Sequence, residues 1–256
     1  MELENLDLNL LKALDTCLEQ VVKTPPLNYS LDDLSRRYDI LLFDTNALIR
    51  ANPLDRNNMD NGHPQAVREQ ERFMHYLKEL FLEKERDFPL HITRGVFEEY
   101  SKPSVLNPAV LDEGIYAKKR IKGESAFSEC FKKMNTPRKK RFRKSNRKRS
   151  GLLDIIDSFG HVLELDEREK MVYRSVYEKV KKCHMYFKLS NVDRDLITSA
   201  VVVGLMRGNT VIISNDNPLH KVWIYLLSRD FLYPNSCDFY FRRGYDNYVL
   251  ARTPSK

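Results

Sequence analysis

With 256 residues, 42% hydrophobic and 31% charged side chains, and only 9 Gly and 11 Pro, the chain is globular, has room for a sizeable core, and is neither fibrous nor disordered in composition. No apolar run approaches the roughly 20 residues needed to span a bilayer, and Glu2, Glu4 and Asp7 stand where a secretory signal would be basic, so an intracellular protein is expected. The net charge of +7 is uneven: from Lys118 to Arg149 fifteen Lys or Arg face two Glu, a local balance of +13 that leaves −6 elsewhere.

Leu3, Leu6, Leu10, Leu14, Cys17, Leu18 and Val21 recur at helical spacing, which predicts an amphipathic N-terminal helix ended by Pro25 and Pro26. Ser30 can cap a short helix with Asp32 and Asp33 in its first turn. A strand over 38–43 follows, then a polar loop over 52–64 and a helix over 64–84 with Val67, Phe73, Leu77 and Phe81 on one face. Residues 88–93 read as a short strand, and Val96 opens the next helix.

Residues 103–150 show no sustained periodicity and are read as an insertion, with helices resuming over 152–159 and 166–185. An apolar helix from Asp195 to Met206 is closed by Gly208, and Thr210 to Ser214 form a β-branched strand. A helix over 218–228 and a strand near 239–241 complete the chain. This alternation predicts a parallel sheet with helices on both faces, whose ligands gather at the carboxyl ends of the strands.

The four cysteines, Cys17, Cys130, Cys183 and Cys237, are far apart and read as unpaired thiols. The adjacent Cys183 and His184 read as ordinary helix residues, because no second pair answers them as metal ligands. The densest basic stretch contains Arg138, Lys139, Lys140, Arg141, Arg143, Lys144, Arg147, Lys148 and Arg149, broken only by Phe142, Ser145 and Asn146. Its self-repulsion opposes compact folding in isolation. Two expectations follow: an RNA-binding segment driven by counterion release, or a solvated loop or nuclear localisation signal. Localisation is accordingly expected to be cytoplasmic, or nuclear if the source is eukaryotic. Tyr240, Arg242, Arg243, Tyr245 and Tyr248 suit RNA contacts or a protein interface equally.

The acids form the second pattern. Asp44 follows the first strand, Asp216 follows the strand ending at Ser214, Asp195 heads an apolar helix, and Glu99 lies early in the helix after Thr93. All four are expected on one rim, where close carboxylates repel by roughly 1–4 kcal/mol per pair. A bound divalent cation, Mg²⁺ or Mn²⁺, relieves that repulsion and can activate water against a phosphodiester. Nucleophile-elbow, Walker and zinc-protease motifs are absent from the sequence. Each acid also has a plain alternative: Asp44, Asp195 and Asp216 as cap or turn residues, Glu99 as a surface carboxylate. A phosphatase with a second acid two residues after the first is disfavoured, because Asn46 occupies that place.

In chain order, the strand leading to Asp44, Thr45 and Asn46, the segment from Val96 to Glu99, the segment from Asp193 to Ala200, and the segment from Ile212 to Asp216 resemble the PIN domain family. That resemblance implies a three-layer α/β/α sandwich with a central, mostly parallel sheet and a metal-dependent ribonuclease, such as a toxin endonuclease or an RNA-processing nuclease. It implies Asp44, Glu99, Asp195 and Asp216 as catalytic metal ligands, with Asp193 an additional or substitute ligand and Glu98 competing with Glu99. Asn46, Ser214 and Asn215 become orienting residues or substrate contacts. The expected layout is an N-terminal helical extension over 1–37 and a nuclease domain over 38–256, with the basic insertion at about 103–150. Expected partners are single-stranded RNA and a protein partner or inhibitor, without a membrane. An inactive PIN-like scaffold binding RNA or protein is the alternative.

Overall fold

The fold is taken from a computed structural model that describes residues 28–49, 64–84, 88–102, 132, 135–187, 189–228, 237–244 and 246–251. The expected N-terminal helix, Cys17, Cys130, Tyr245 and nearly all of the 52–64 loop lie outside these residues. So do the side chains of Arg138, Arg141, Phe142, Cys183, His184 and Arg243.

The chain is an α/β protein built on a mixed six-stranded sheet of order β1-β6-β5-β4-β2-β3. The strands are β1 (Asn28–Tyr29), β2 (Ile40–Phe43), β3 (Leu90–His91), β4 (Thr210–Ile213), β5 (Cys237–Gly244) and β6 (Asn247–Leu250). The helices are α1 (Leu31–Ser35), α2 (Thr45–Ile49), α3 (Pro64–Lys84), α4 (Arg94–Ser101), α5 (Thr136–Ser158), α6 (Glu167–Phe187), α7 (Asn191–Met206) and α8 (Asn217–Ser228). Among the described residues no helix is long and apolar enough to cross a membrane.

The expected parallel character holds for β3, β2, β4 and β5, which pair parallel in that order. It fails beyond β5: β5 turns back on β6, and β6 pairs with β1, both antiparallel. All residues of β2 and β4 are buried, as central parallel strands covered on both faces require. A further parallel bridge joins Ile92 to Val162 beside β3, with Ile92 N donating to His161 O at 3.0 Å and Leu163 N to Ile92 O at 2.8 Å.

Ser30 caps α1 in a reciprocal capping box with Asp33, and Leu31 and Leu34 are fully buried. Residues 28–35 thus supply an edge strand and a core helix to the same sheet, and no structural break falls at residue 37. At the other end of β2, Gly208 has φ +147°, and a Cβ there would run into the Asp39 carboxylate, which accepts from Asn209 N at 2.9 Å. Only glycine combines that backbone with so close an approach.

Two helices begin well before the expected residue. The helix expected over 152–159 begins at Thr136, so the basic stretch is helical over its whole length. Pro137 is tolerated because the first turn needs no intrahelical N–H donor, and buried Leu152, Leu153 and Ile156 anchor the C-terminal half against the core. The helix expected from Asp195 begins at Asn191, because Ser190 caps it.

Candidate metal centre

Because β2, β3 and β4 run parallel, the residues leaving their carboxyl ends reach one edge of the sheet. Asp44 leaves β2, Thr93 caps the helix that follows β3, and Ser214, Asn215 and Asp216 leave β4. Register ties the ends together: Asp44 N donates to Ile213 O at 2.9 Å, and Ser214 N donates to Tyr240 O at 3.0 Å. A recess of about 300 Å³ lined by Tyr38, Thr210, Cys237 and Asp238 lies at the opposite ends of these strands, away from the acids.

Asp44 is buried, and its Oδ2 accepts from the Ser214 hydroxyl at 2.6 Å. Burial pushes its carboxyl up to about 7, the Ser214 hydrogen bond opposes the rise, and the charges of Asp193, Asp216 and Glu99 add to it. Asp216 is raised by burial and by Asp193, against the hydrogen bond from Leu219 N. Asp44 therefore feels the field of three other carboxylates carried by α4, α7 and the β4–α8 junction.

Each of these acids also has local work. Asp216 caps α8, with its Oδ1 accepting from Leu219 N and its Oδ2 from Asn46 Nδ2, both at 3.2 Å. Glu99 Oε2 accepts from the Thr45 hydroxyl at 2.5 Å. Asp193 completes the α7 capping box, accepting from Ser190 N at 2.9 Å. Among the described residues, Asp44 Oδ1, Glu99 Oε1 and Asp193 Oδ1 take no hydrogen bond.

The competition between Glu98 and Glu99 has a geometric outcome. Neighbouring residues on a helix point about 100° apart. Glu99 turns to Thr45, while Glu98 is exposed and pairs with Arg94 at 3.3 Å. Asp195 has partners of its own beside α4 and α6. One turn into α7, its Oδ1 accepts from the Tyr173 hydroxyl at 2.7 Å, and a Cβ on Gly95 would stand 3.1 Å from its Oδ2. Asp195 thus sits in the α4–α6–α7 packing, and Asp193 is the α7 acid whose charge reaches both Asp44 and Asp216.

The accompanying polar residues divide. Ser214 and Asn46 hydrogen-bond the acids themselves. Asn215 Oδ1 accepts from Arg242 N at 2.9 Å. Arg242, expected as an RNA contact or a protein-interface residue, is fully buried, with its guanidinium 3.2 Å from the centre of the Phe73 ring and a hydrogen bond to Ala47 O. Tyr240 and Tyr248 are buried too, so none of these three is an RNA contact. Thr45 was missed as a site residue. Its only sequence signal is its place between Asp44 and Asn46.

Compared with protein-family models, curated proteins and solved structures, the chain finds no match.

Whether a divalent ion suits these residues turns on donors and spacing. All the donors are oxygen or amide groups, the type that Mg²⁺ and Mn²⁺ prefer. The largest influences on Asp44 besides burial are one hydroxyl and three acids. Yet among the described residues no three His, Cys, Asp or Glu side chains stand close enough to cage an ion. Mg²⁺ can bind through one or two carboxylates, with water and substrate phosphate at its remaining sites.

Of the nine basic positions expected to bind RNA, Lys140, Arg143, Lys144, Arg147 and Lys148 are exposed on α5, and Lys139 is half-buried. Arg149 is turned inward. Its guanidinium donates to Lys102 O at 2.9 Å and to Asn146 Oδ1, and lies 5.8 Å from the centre of the Tyr100 ring.

Proposed function

We propose that this protein is a PIN-like, metal-dependent ribonuclease: a three-layer α/β/α sandwich that hydrolyses internal phosphodiesters of single-stranded RNA with an activated water. The observation that carries this reading is that Asp44 is buried within the field of Asp193, Asp216 and Glu99, acids brought from separate parts of the chain to the carboxyl ends of parallel strands.

Asp44 and Asp216 would hold Mg²⁺ or Mn²⁺, with Glu99 and Asp193 reaching it directly or through water. When bound, the ion polarises a phosphodiester and acidifies a water molecule. Ser214 fixes the Asp44 carboxylate, Asn46 fixes Asp216, and Thr45 fixes Glu99, so each acid keeps a set orientation before substrate arrives. The absence of a nucleophile-elbow or Walker motif fits chemistry in which water and not a side chain attacks.

A second reading, a PIN-like scaffold that binds RNA or protein without cutting, draws on the structural work of Asp193 and Asp216 as caps and the lack of a closed cage among the described residues. One experiment separates the two. Labelled single-stranded RNA is incubated with the protein and Mg²⁺ or Mn²⁺, beside EDTA and Asp44→Asn controls. Cleavage abolished by both controls supports the nuclease. Cleavage that survives both, or binding without cleavage under every metal, overturns it.

A further inference from the structure

Helix α5 has two opposed faces. Arg149, Leu152, Leu153 and Ile156 are buried on one. At about 100° per residue, Arg149 stands about 180° around the helix from Lys140. On the outward side, Lys140, Arg143, Lys144, Arg147 and Lys148 are exposed. They fall within an arc of about 140° and along about 12 Å of helix axis. The first acid of α5 is Asp154, about two turns beyond Arg147.

This cationic face is held in place. Arg149 grips the carbonyl of Lys102, the C-cap of α4, and lies over Tyr100 of the same helix. Glu99, one of the acids acting on Asp44, precedes Lys102 by three residues on α4. The core side of α5 therefore docks against the helix that carries a site acid.

We propose that the outward face of α5 is a rigid rail for the phosphate backbone of single-stranded RNA, positioned relative to the carboxylate edge by Arg149. The choice of RNA rests on the proposed function; the cationic rail itself does not require cleavage. Among the described side chains these five like charges have no apolar residue between them to anchor a protein partner, whereas a polyphosphate needs none. Counterion release supplies the affinity. Helical structure makes the charges useful, because it holds them on one side where a loop would scatter them.

The test is binding of fluorescein-labelled oligouridine to the full chain in EDTA, read by anisotropy between 50 and 200 mM salt. Each engaged cation contributes about −0.7 to the slope of log K against log salt, so a fully engaged rail gives about −3.5. The combined Lys140→Gln, Arg143→Gln, Lys144→Gln and Arg147→Gln variant is expected to flatten that slope by about 2 to 3. If circular dichroism shows that this variant has lost helix, single Lys140→Gln and Lys144→Gln variants carry the test, each expected to remove about 0.7. An unchanged slope overturns the rail. Polyglutamate competing as well as RNA at equal charge overturns the assignment to nucleic acid. RNA binding with the expected slope but no cleavage under any metal leaves the rail standing and overturns only the nuclease reading.

Discussion

The Ser214 hydroxyl donates to Asp44 Oδ2 at 2.6 Å, joining the residues that leave two adjacent parallel strands. It lowers the Asp44 carboxyl against burial and three neighbouring acids. Ser214→Ala removes a hydrogen bond to a buried charge, a loss of about 1.5–3 kcal/mol when Asp44 is ionised and less when it is protonated. Urea denaturation of this variant at pH 8 and pH 5 is expected to show the larger loss at pH 8. Equal losses would mean that the bond does not discriminate between the two forms.

Asp44 itself acts on stability with the opposite sign to an ordinary paired acid. Its carboxyl is raised from 3.8 to about 7 in the fold, so between these values the folded state binds more protons than the unfolded one. The contribution from Asp44 therefore falls as pH rises through that window and levels off above it. In EDTA, Asp44→Asn is expected to stabilise the protein at pH 8 by an amount on the order of 2–4 kcal/mol, with the gain vanishing near pH 4. Adding Mg²⁺ should raise the melting temperature of the native protein and not of the variant.

Two histidines, the buried His220 and the half-buried His91, weigh on acid stability. His220 is lowered from 6.5 to about 3 and His91 to about 4, burial being the main cause for both. The unfolded state then binds more protons below pH 6.5, so stability is present above that value and lost as pH falls towards the folded-state values. His220 packs among Trp223, Phe239 and Phe241, and neither ring nitrogen meets a hydrogen-bond partner among the described residues. His220→Phe is expected to be more acid-resistant, by about 2 kcal/mol relative to the native protein at pH 5 compared with pH 8. Parallel pH profiles for the two proteins would refute this.

Glu98 and Glu99 should separate in activity. Glu99→Gln is expected to lower RNA cleavage by about 100-fold or more, the scale of losing an electrostatic stabiliser. Glu98→Gln, which breaks only an exposed pair with Arg94, should change it little. Comparable rates for the two variants would remove Glu99 from the site.

Asp193 and Asp195 are ranked by the same assay. Asp193→Asn should reduce cleavage more than Asp195→Asn, because Asp193 acts on Asp44 and Asp216 while Asp195 holds Tyr173. The reverse order would restore Asp195 as the principal ligand of α7. Thermal melts are needed beside the rates, since Asp193→Asn also weakens a capping box by about 1 kcal/mol.

Much of the fold was legible because its signals are local. The apolar strands ending at Asp44 and Ser214, the helix over 64–84 and the Ser30 cap follow from periodicity and capping chemistry within a few residues. The antiparallel β5–β6–β1 edge was not, because the pairing of Asn28 with Val249 and of Tyr29 with Tyr248 joins positions more than 200 residues apart. Local charge also misled over α5. Repulsion among nine cations argues against a helix in isolation, but Leu152, Leu153 and Ile156 add buried area that the isolated segment lacks.

The amino-acid order by itself determined which residues leave the strand ends, and so placed Asp44, Glu99 and Asp216 as candidates, because strand and helix periods are properties of short segments. It could not decide between neighbours. Only the tertiary structure turned Glu99 to Thr45 and Glu98 to solvent, gave Asp195 to Tyr173 and left Asp193 acting on Asp44, and folded Arg149 and Arg242 inward. The physical reason is that charge and burial act through space: a carboxylate responds to the groups packed around it, however far along the chain they lie.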